Sequence, residues 1–304
     1  MEYILTTDGL SKAYGRFRAL DGLTMHVPKG AIYGFVGKNG AGKTTLLRLI
    51  CGLQTPTAGE YSLYGVSHRE KAIRQARRRM GAIVESPAIY WDMTAEENIK
   101  EQYRILGLDA LDGIPELLKL VGLEDTQKKK VKHFSLGMRQ RLGIAMALCG
   151  KPDFLVLDEP VNGLDPKGIV ELRELIRKLN QEHRITILIS SHILDELARL
   201  ATHYGFIDGG RMVQEISAEE LEEACRTCVR IEVTDCSALL RALDKMQVDY
   251  QWISDTEADV FAHIHVTQLV LTLQKENCDV ISIRERDNSL ERYYFHLVGG
   301  DRNA

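Results

Sequence analysis

The sequence predicts an α/β fold, a mainly parallel sheet covered by helices and followed by a small α+β unit. Three observations lead there. The runs "AIYGFVG" (31–37), "DFLVLD" (153–158) and "ITILIS" (185–190) are short, rich in β-branched residues and apolar on both faces, as central buried strands are. Amphipathic segments at 43–51, 95–106, 138–149, 166–182 and 193–201 alternate with such runs as helices do in a parallel α/β layer. Beyond "ISAEELEEAC" the pattern changes: strand "CVRIEVT", helix 238–246, strands around "DYQWIS" and "ADVFAHIH", helix 267–275 and strand "DVISIRE". That order is β-α-β-β-α-β, the split βαβ arrangement. An amphipathic segment, "NSLERYYFHLV", follows it.

A chain of 304 residues exceeds what one core of roughly 250 to 300 residues holds, so two domains are expected, divided at residues 1–216 and 217–304. Charged residues at 27% and hydrophobic residues at 44% are ordinary for a soluble protein, which argues against disorder. A formal net charge of -4 supplies no global positive field for nucleic acid or anionic lipid. The basic run at 74–79 reads as a solvated helix face. No apolar run approaches the roughly 18 residues of a spanning helix, and "MEYILTTDGL" lacks the build of a signal peptide, so a cytoplasmic chain is expected. Six cysteines without a disulfide-like framework fit a reducing compartment. Cys225 and Cys228 form a lone CxxC without the second pair that zinc needs, and His263 and His265 read as ordinary strand residues. The second domain offers no catalytic constellation and reads as a packing or dimer-supporting module.

"GKNGAGKT" follows a strand and opens a helix, the context in which G-x-x-x-x-G-K-[ST] is a phosphate-binding loop. Gly37, Lys38, Asn39, Gly40, Ala41 and Gly42 let backbone N–H groups approach a triphosphate, and the helix N-terminus adds fixed positive potential. Lys43 brings a full charge to the β- and γ-phosphates, and the Thr44 hydroxyl, with Thr45 beside it, stands where Mg²⁺ is ligated. The strand "FLVLDEP" then ends in two adjacent carboxylates. Asp158 is expected to hold Mg²⁺ directly or through water, and Glu159 to polarise the attacking water.

The next motif carries a resemblance. "FSLGMRQRLGIAMAL" (134–148), just before Asp158, is similar to the signature helix of ATP-binding cassette (ABC) ATPases. The short form here is Ser-Leu-Gly-Met, where the family's commonest pattern is Ser-Gly-Gly-Gln. Ser135 and the Gly137 N–H at a helix start make a second anion site, which in this family is presented to ATP held by the other subunit. "VNGLDP" puts Asp165 at the family's D-loop, "ISSHIL" puts His192 at its switch histidine, and "KAYGRFRAL" puts Tyr14 where a ring stacks on adenine. The resemblance spans residues 2 to about 215, with a helical subdomain at about 86–150. It implies ATP and Mg²⁺ as cofactors, a sandwich dimer of two copies, and a separate membrane permease that holds the chain on the inner face of the membrane.

Where this family normally carries Gln, after the "GAIV" strand, this chain has Glu85. Members resembling the bacitracin-resistance and lantibiotic-immunity transporters share that Glu, together with "SLGM" signatures and "SLERYYF"-like ends, here 289–295. A carboxylate loses the two N–H donors of the amide and adds a charge. At roughly 4 Å from a phosphate charge, with an effective dielectric of about 20, repulsion could reach some 4 kcal/mol unless a cation intervenes. Glu85 is therefore expected to touch the metal or its water shell. The resemblance implies the ATPase of an exporter of an antimicrobial peptide or bacitracin-like compound. The alternatives are a soluble ABC ATPase acting on ribosomes or DNA, and a regulatory module uncoupled from transport.

Overall fold

The amino-terminal strands build a sheet of their own instead of joining the parallel one. The computed structural model describes residues 2–108, 113–226, 228–261, 266–286 and 290–299. The chain divides into two units, Met1–Ala218 and Glu219–Ala304. The first contains β1 (Tyr3–Tyr14), β2 (Phe17–Pro28), β3 (Ile32–Val36), α1 (Lys43–Ile50), β4 (Ala58–Leu63), β5 (Val66–Ser67), α2 (Ile73–Arg77) and β6 (Met80–Ile83). It continues with α3 (Ala95–Leu106), α4 (Ile114–Leu120), α5 (Leu136–Leu148), β7 (Phe154–Asp158), α6 (Pro166–Gln181), β8 (Thr186–Ser191), α7 (Leu194–Ala198), β9 (His203–Asp208) and β10 (Arg211–Ser217); α8 (Ala218–Ala224) follows. The antiparallel sheet runs β2-β1-β4-β5 and the second sheet β10-β9-β3-β8-β7-β6. In the latter every pairing is parallel except that of β9 with β10.

The strands read as central are central: β3, β7 and β8 are buried at every position. Leu46, Leu47 and Ile50 of α1 pack with Phe35, Phe154 and Val156 of the parallel sheet and with Leu20 and Met25 of the antiparallel one in a single core. Polar contacts join the sheets as well. The Asp21 N–H donates to the Gly210 carbonyl at 2.9 Å, and Arg211 Nε donates to the Asp21 carboxylate at 2.9 Å. Hydrogen bonds from Arg211 and then Arg18 hold the Asp21 carboxyl below its ordinary range. Glu215 on β10 accepts from the Tyr33 hydroxyl at 2.6 Å and from the His26 N–H at 2.8 Å.

Helix ends follow their caps. α3 begins at Ala95 because Thr94 and Glu97 form a capping box, and it stops at Gly107, whose φ is +68°. α5 starts at Leu136, two residues before the expectation, because Ser135 caps it by accepting from the Met138 N–H at 3.2 Å. α7 is shorter than expected. The basic run is exposed at Arg74 and Arg78, whereas Arg77 donates to the Ile50 carbonyl at 3.1 Å and to the Tyr61 hydroxyl, and Arg79 pairs with Asp153. Part of that face is therefore structural.

In the second unit β11 (Cys228–Val233), α9 (Cys236–Lys245), β12 (Tyr250–Trp252), β13 (Glu257–Val260), α10 (Val266–Gln274), β14 (Val280–Arg286) and α11 (Leu290–Gly299) follow in order. The sheet is antiparallel and runs β12-β13-β11-β14. Ile231, Val233, Ala258 and Val260 bury one face against Leu239, Leu243, Leu269 and Leu273 of the two helices. His263 and His265 lie outside the described residues. All six cysteines are free, and among the described residues no group of His, Cys, Asp and Glu could hold a metal. On the sheet's other face Arg230 lies opposite Asp259 and grips it through two bonds of 2.6 and 2.7 Å; Asp259 is 6% exposed.

Removing one partner of a part-buried pair costs the bonds it made and leaves the other charge less compensated. Arg230→Met should cost about 1–3 kcal/mol in equilibrium denaturation. Arg230→Met with Asp259→Leu should recover most of that loss.

Candidate functional site

Parallel register aligns the carboxyl ends of three neighbouring strands. Val36 of β3 lies beside Ser191 of β8, and Ser190 lies beside Asp158 of β7. Each end leads into a segment singled out in the sequence: the glycine loop after β3, Glu159 after β7 and His192 after β8. Ligands of open α/β sheets bind outside the carboxyl ends of the strands.

The loop needs its glycines. A Cβ at Gly37 would lie 2.6 Å from the Ile207 side chain and carbonyl. Gly42 has φ +111°, and a Cβ there would lie 2.4 Å from the Ala19 carbonyl oxygen. Gly42 is also the N-cap of α1, and no side chain caps that helix end, so its first N–H groups point into the loop's concavity as anion donors. Lys43, 5% exposed, donates Nζ to the Gly37 carbonyl at 2.6 Å and the Lys38 carbonyl at 3.2 Å. Its Nζ also lies 3.2 Å from Glu159 Oε1. Thr44 and Thr45 are the next two residues of α1 and are half-buried.

Glu159 is held by its backbone. Its φ is +45°, a conformation costly for a side-chain-bearing residue, and its N–H donates to both the Ser190 carbonyl at 3.1 Å and the Ser190 hydroxyl at 3.0 Å. The carboxylate bridges two groups, Lys43 through Oε1 and His192 Nδ1 through Oε2 at 2.6 Å. Asp158 is 5% exposed and accepts from the Ser190 hydroxyl at 2.5 Å. Ser190 thus binds the Asp158 carboxylate and holds the Glu159 backbone, a role the sequence reading missed. It lies in the quoted "ISSHIL", but a serine on a strand end shows no periodicity that distinguishes it.

Glu196 on α7 was missed too. One of its carboxylate oxygens is buried without a partner among the described residues, as is Arg173 Nε on α6. Burial pushes the Glu196 carboxyl up from its ordinary range, against the opposite pull of His192 and Arg173.

The remaining predicted residues stand apart from this cluster. Ser135 caps α5, and Gly137 in its first turn is open, with Leu164 Cδ2 the nearest atom to a Cβ at 3.8 Å. Asp165 caps α6 by accepting from the Gly168 N–H at 3.2 Å. Tyr14 ends β1 at a two-residue hairpin turn, is 43% exposed, and donates its hydroxyl to Gln54. Among the described residues no hydrogen bond or ion pair joins Tyr14, Ser135 or Asp165 to Lys43, Asp158 or Glu159. Glu85 follows β6 with φ +67° and pairs with Arg48 of α1.

A sequence profile described as ABC transporter matches residues 20–162. The bacitracin transport ATP-binding protein BcrA of Bacillus licheniformis is 41% identical over 303 residues, covering 99% of each chain. The chain belongs to the ABC transporter family. As a member it is an ATPase, the nucleotide-binding subunit of a transporter. The lantibiotic transport ATP-binding protein SrtF of Streptococcus pyogenes is 44% identical over 223 residues, 72% of this chain and 95% of that one. Among solved structures, an ATP-binding subunit of an ABC transporter superposes with a TM-score of 0.63 at 29% identity, over 72% of this chain and 92% of its own. A dimeric structure of a bacterial ABC transporter cassette gives 0.63 at 25% identity, over 70% and 98%.

Ser190→Ala removes a donor to a buried carboxylate and an acceptor from the strained Glu159 amide. It should cost about 1–3 kcal/mol by denaturant unfolding and lower steady-state ATP hydrolysis, with Ser190→Thr retaining more of both.

Proposed function

We propose that this chain is the motor of an ABC exporter that moves an antimicrobial peptide or bacitracin-like compound out of the cell through a separate membrane permease. The observation that carries the catalytic half is the Glu159 carboxylate, set between Lys43 and His192 at the aligned strand ends. The substrate class rests on the bacitracin transport relative, similar along nearly its whole length, and on the lantibiotic transport relative. The domain division is read as a cassette at 1–216, with its helical subdomain at about 86–150, and an accessory domain at 217–304. No helix among the described residues is long and apolar enough to cross a membrane. In this reading the permease holds the chain peripherally on the cytoplasmic face.

The geometry supports the following roles. On nucleotide arrival Lys43 exchanges its loop carbonyls and Glu159 for phosphate oxygens, leaving Glu159 free to accept the proton of an attacking water. His192 keeps hold of the other carboxylate oxygen and orients it. The residues also suit Mg²⁺: a buried carboxylate at Asp158 and the Thr44 hydroxyl are hard oxygen donors that would hold the ion together with phosphate oxygens and water. Bound there, the ion would neutralise charge that develops on the phosphates. Tyr14, exposed at its hairpin, stacks on adenine.

Ser135, the Gly137 N–H and Asp165 lie away from the cluster and serve a second copy's nucleotide, so two chains close around two ATP molecules and hydrolysis lets them part. The dimeric bacterial cassette among the solved structures is of the same fold.

Glu159→Gln should abolish steady-state hydrolysis, on the order of 10²-fold or more, while the full-length protein with Mg²⁺ and ATP accumulates as a dimer in sedimentation or light scattering. Purified with its membrane partner in liposomes, the parent protein should hydrolyse ATP faster when bacitracin or a lantibiotic is added. Stimulation by neither would remove the substrate assignment and leave the ATPase reading standing.

A further inference from the structure

Glu85 stands where this family usually has an amide, two residues beyond β6, whose Ile83 lies beside Leu157 of β7 just before Asp158, and the structure gives its charge a partner. Arg48 of α1 binds Glu85 through Nη2. Arg48 lies one helical turn beyond Thr44, and residues four apart share a helix face about 6 Å apart along the axis. The guanidinium therefore sits on the same side of α1 as the hydroxyl offered to the metal, one turn behind it. Its backbone is fixed as well, since the Arg48 carbonyl accepts from the Leu53 N–H at 2.9 Å and the Gln54 N–H at 3.3 Å.

The Glu85 end is equally constrained. Its φ of +67° is left-handed, a conformation that a side-chain-bearing residue holds only when its surroundings impose it. Two residues on, Pro87 packs on Gly143 of α5: a Cβ at 143 would lie 2.5 Å from Pro87 Cβ. The loop is wedged against the helix that Ser135 starts, and the ion pair ties it to the helix that follows the phosphate loop.

We propose that Arg48 is a positioning residue that competes with the active-site metal for the Glu85 carboxylate and so sets the metal dependence of nucleotide binding. With the pair closed, Glu85 is neutralised and drawn back along α1. With a divalent cation present, the carboxylate exchanges one cation for another, so the pocket gains no net repulsion from having Glu in place of the amide. This rests on reading the loop after β3 and Asp158 as the nucleotide and metal site.

The test uses the full-length protein in the turnover-dead Glu159→Gln background and reads fluorescent ATP-analogue binding against Mg²⁺ concentration. Arg48→Met should lower the Mg²⁺ midpoint by about two- to fivefold, the factor that an exposed ion pair of ordinary strength corresponds to. Arg48→Lys should stay near the parent midpoint. In a Glu85→Gln background Arg48→Met should produce no further shift. An unchanged or raised midpoint in Arg48→Met, or the same shift with and without Glu85, overturns the proposal, whereas analogue binding by no variant, parent included, refutes the site reading beneath it. Thermal melts of each variant show whether a shift comes from lost structure.

Discussion

The parallel pairing of β3 with β8 and of β8 with β7 is the constraint on which the site depends. It places Val36, Ser191, Ser190 and Asp158 at one level of the sheet, so that three loops distant in sequence open at the same edge. Every position in these strands is buried, and a slip of one residue would turn each side chain to the opposite face. Helices cover both faces here, so the cost of a slip lies in packing: α1 fits Leu46, Leu47 and Ile50 against Phe35, Phe154 and Val156. The position of the carboxylates is thus fixed by hydrophobic burial some distance from any charge.

Once the strand ends are in line, the polar groups are over-determined. Ser190 contributes its carbonyl and hydroxyl to the Glu159 amide while its hydroxyl proton goes to Asp158. That arrangement is what holds Glu159 at φ +45°, and with the backbone so turned the carboxylate reaches Lys43 and His192 together. Asp158 on the same strand stays buried on the hydroxyl. Adjacent carboxylates therefore have separate surroundings, one buried on a serine hydroxyl, the other bridging Lys43 and His192. Such separation lets two chemically identical groups take different roles.

The sequence made the covalent logic of this edge legible and left its supports obscure. The glycine loop after β3, the adjacent Asp158 and Glu159 and the residue His192 were legible as a constellation because their patterns are restrictive: a Cβ at Gly42 would meet a carbonyl, and two carboxylates end an otherwise apolar strand. The central strands were readable for the same reason, since burial on both faces leaves an unbroken apolar run. The separate antiparallel sheet was not. Its assignment rests on Leu5 meeting Leu63 and Thr6 meeting Ser62, pairings between distant segments that local alternation cannot specify. Ser190 and Arg48 were missed because a strand-end serine and a half-exposed helix arginine look alike in every soluble protein. The start of α5 was placed two residues late because the weight given to its apolar pattern outran the cap at Ser135.

Asp165 and Ser135 each have a structural role beside the functional one proposed for them. Each is the N-cap of its helix and accepts from an N–H three residues on, which already accounts for a small polar side chain at that position. The cap also leaves the helix start open and anchored at the surface. For Ser135 the neighbouring Gly137 adds no side chain to that surface, where a Cβ would meet Leu164 Cδ2 in ordinary contact at 3.8 Å. An uncovered helix start carries a partial positive charge that water satisfies only loosely, and a phosphate from another chain satisfies it better. The same local physics that begins α5 leaves its first turn at the surface, where the proposed dimer would set it against nucleotide at a second copy's α1.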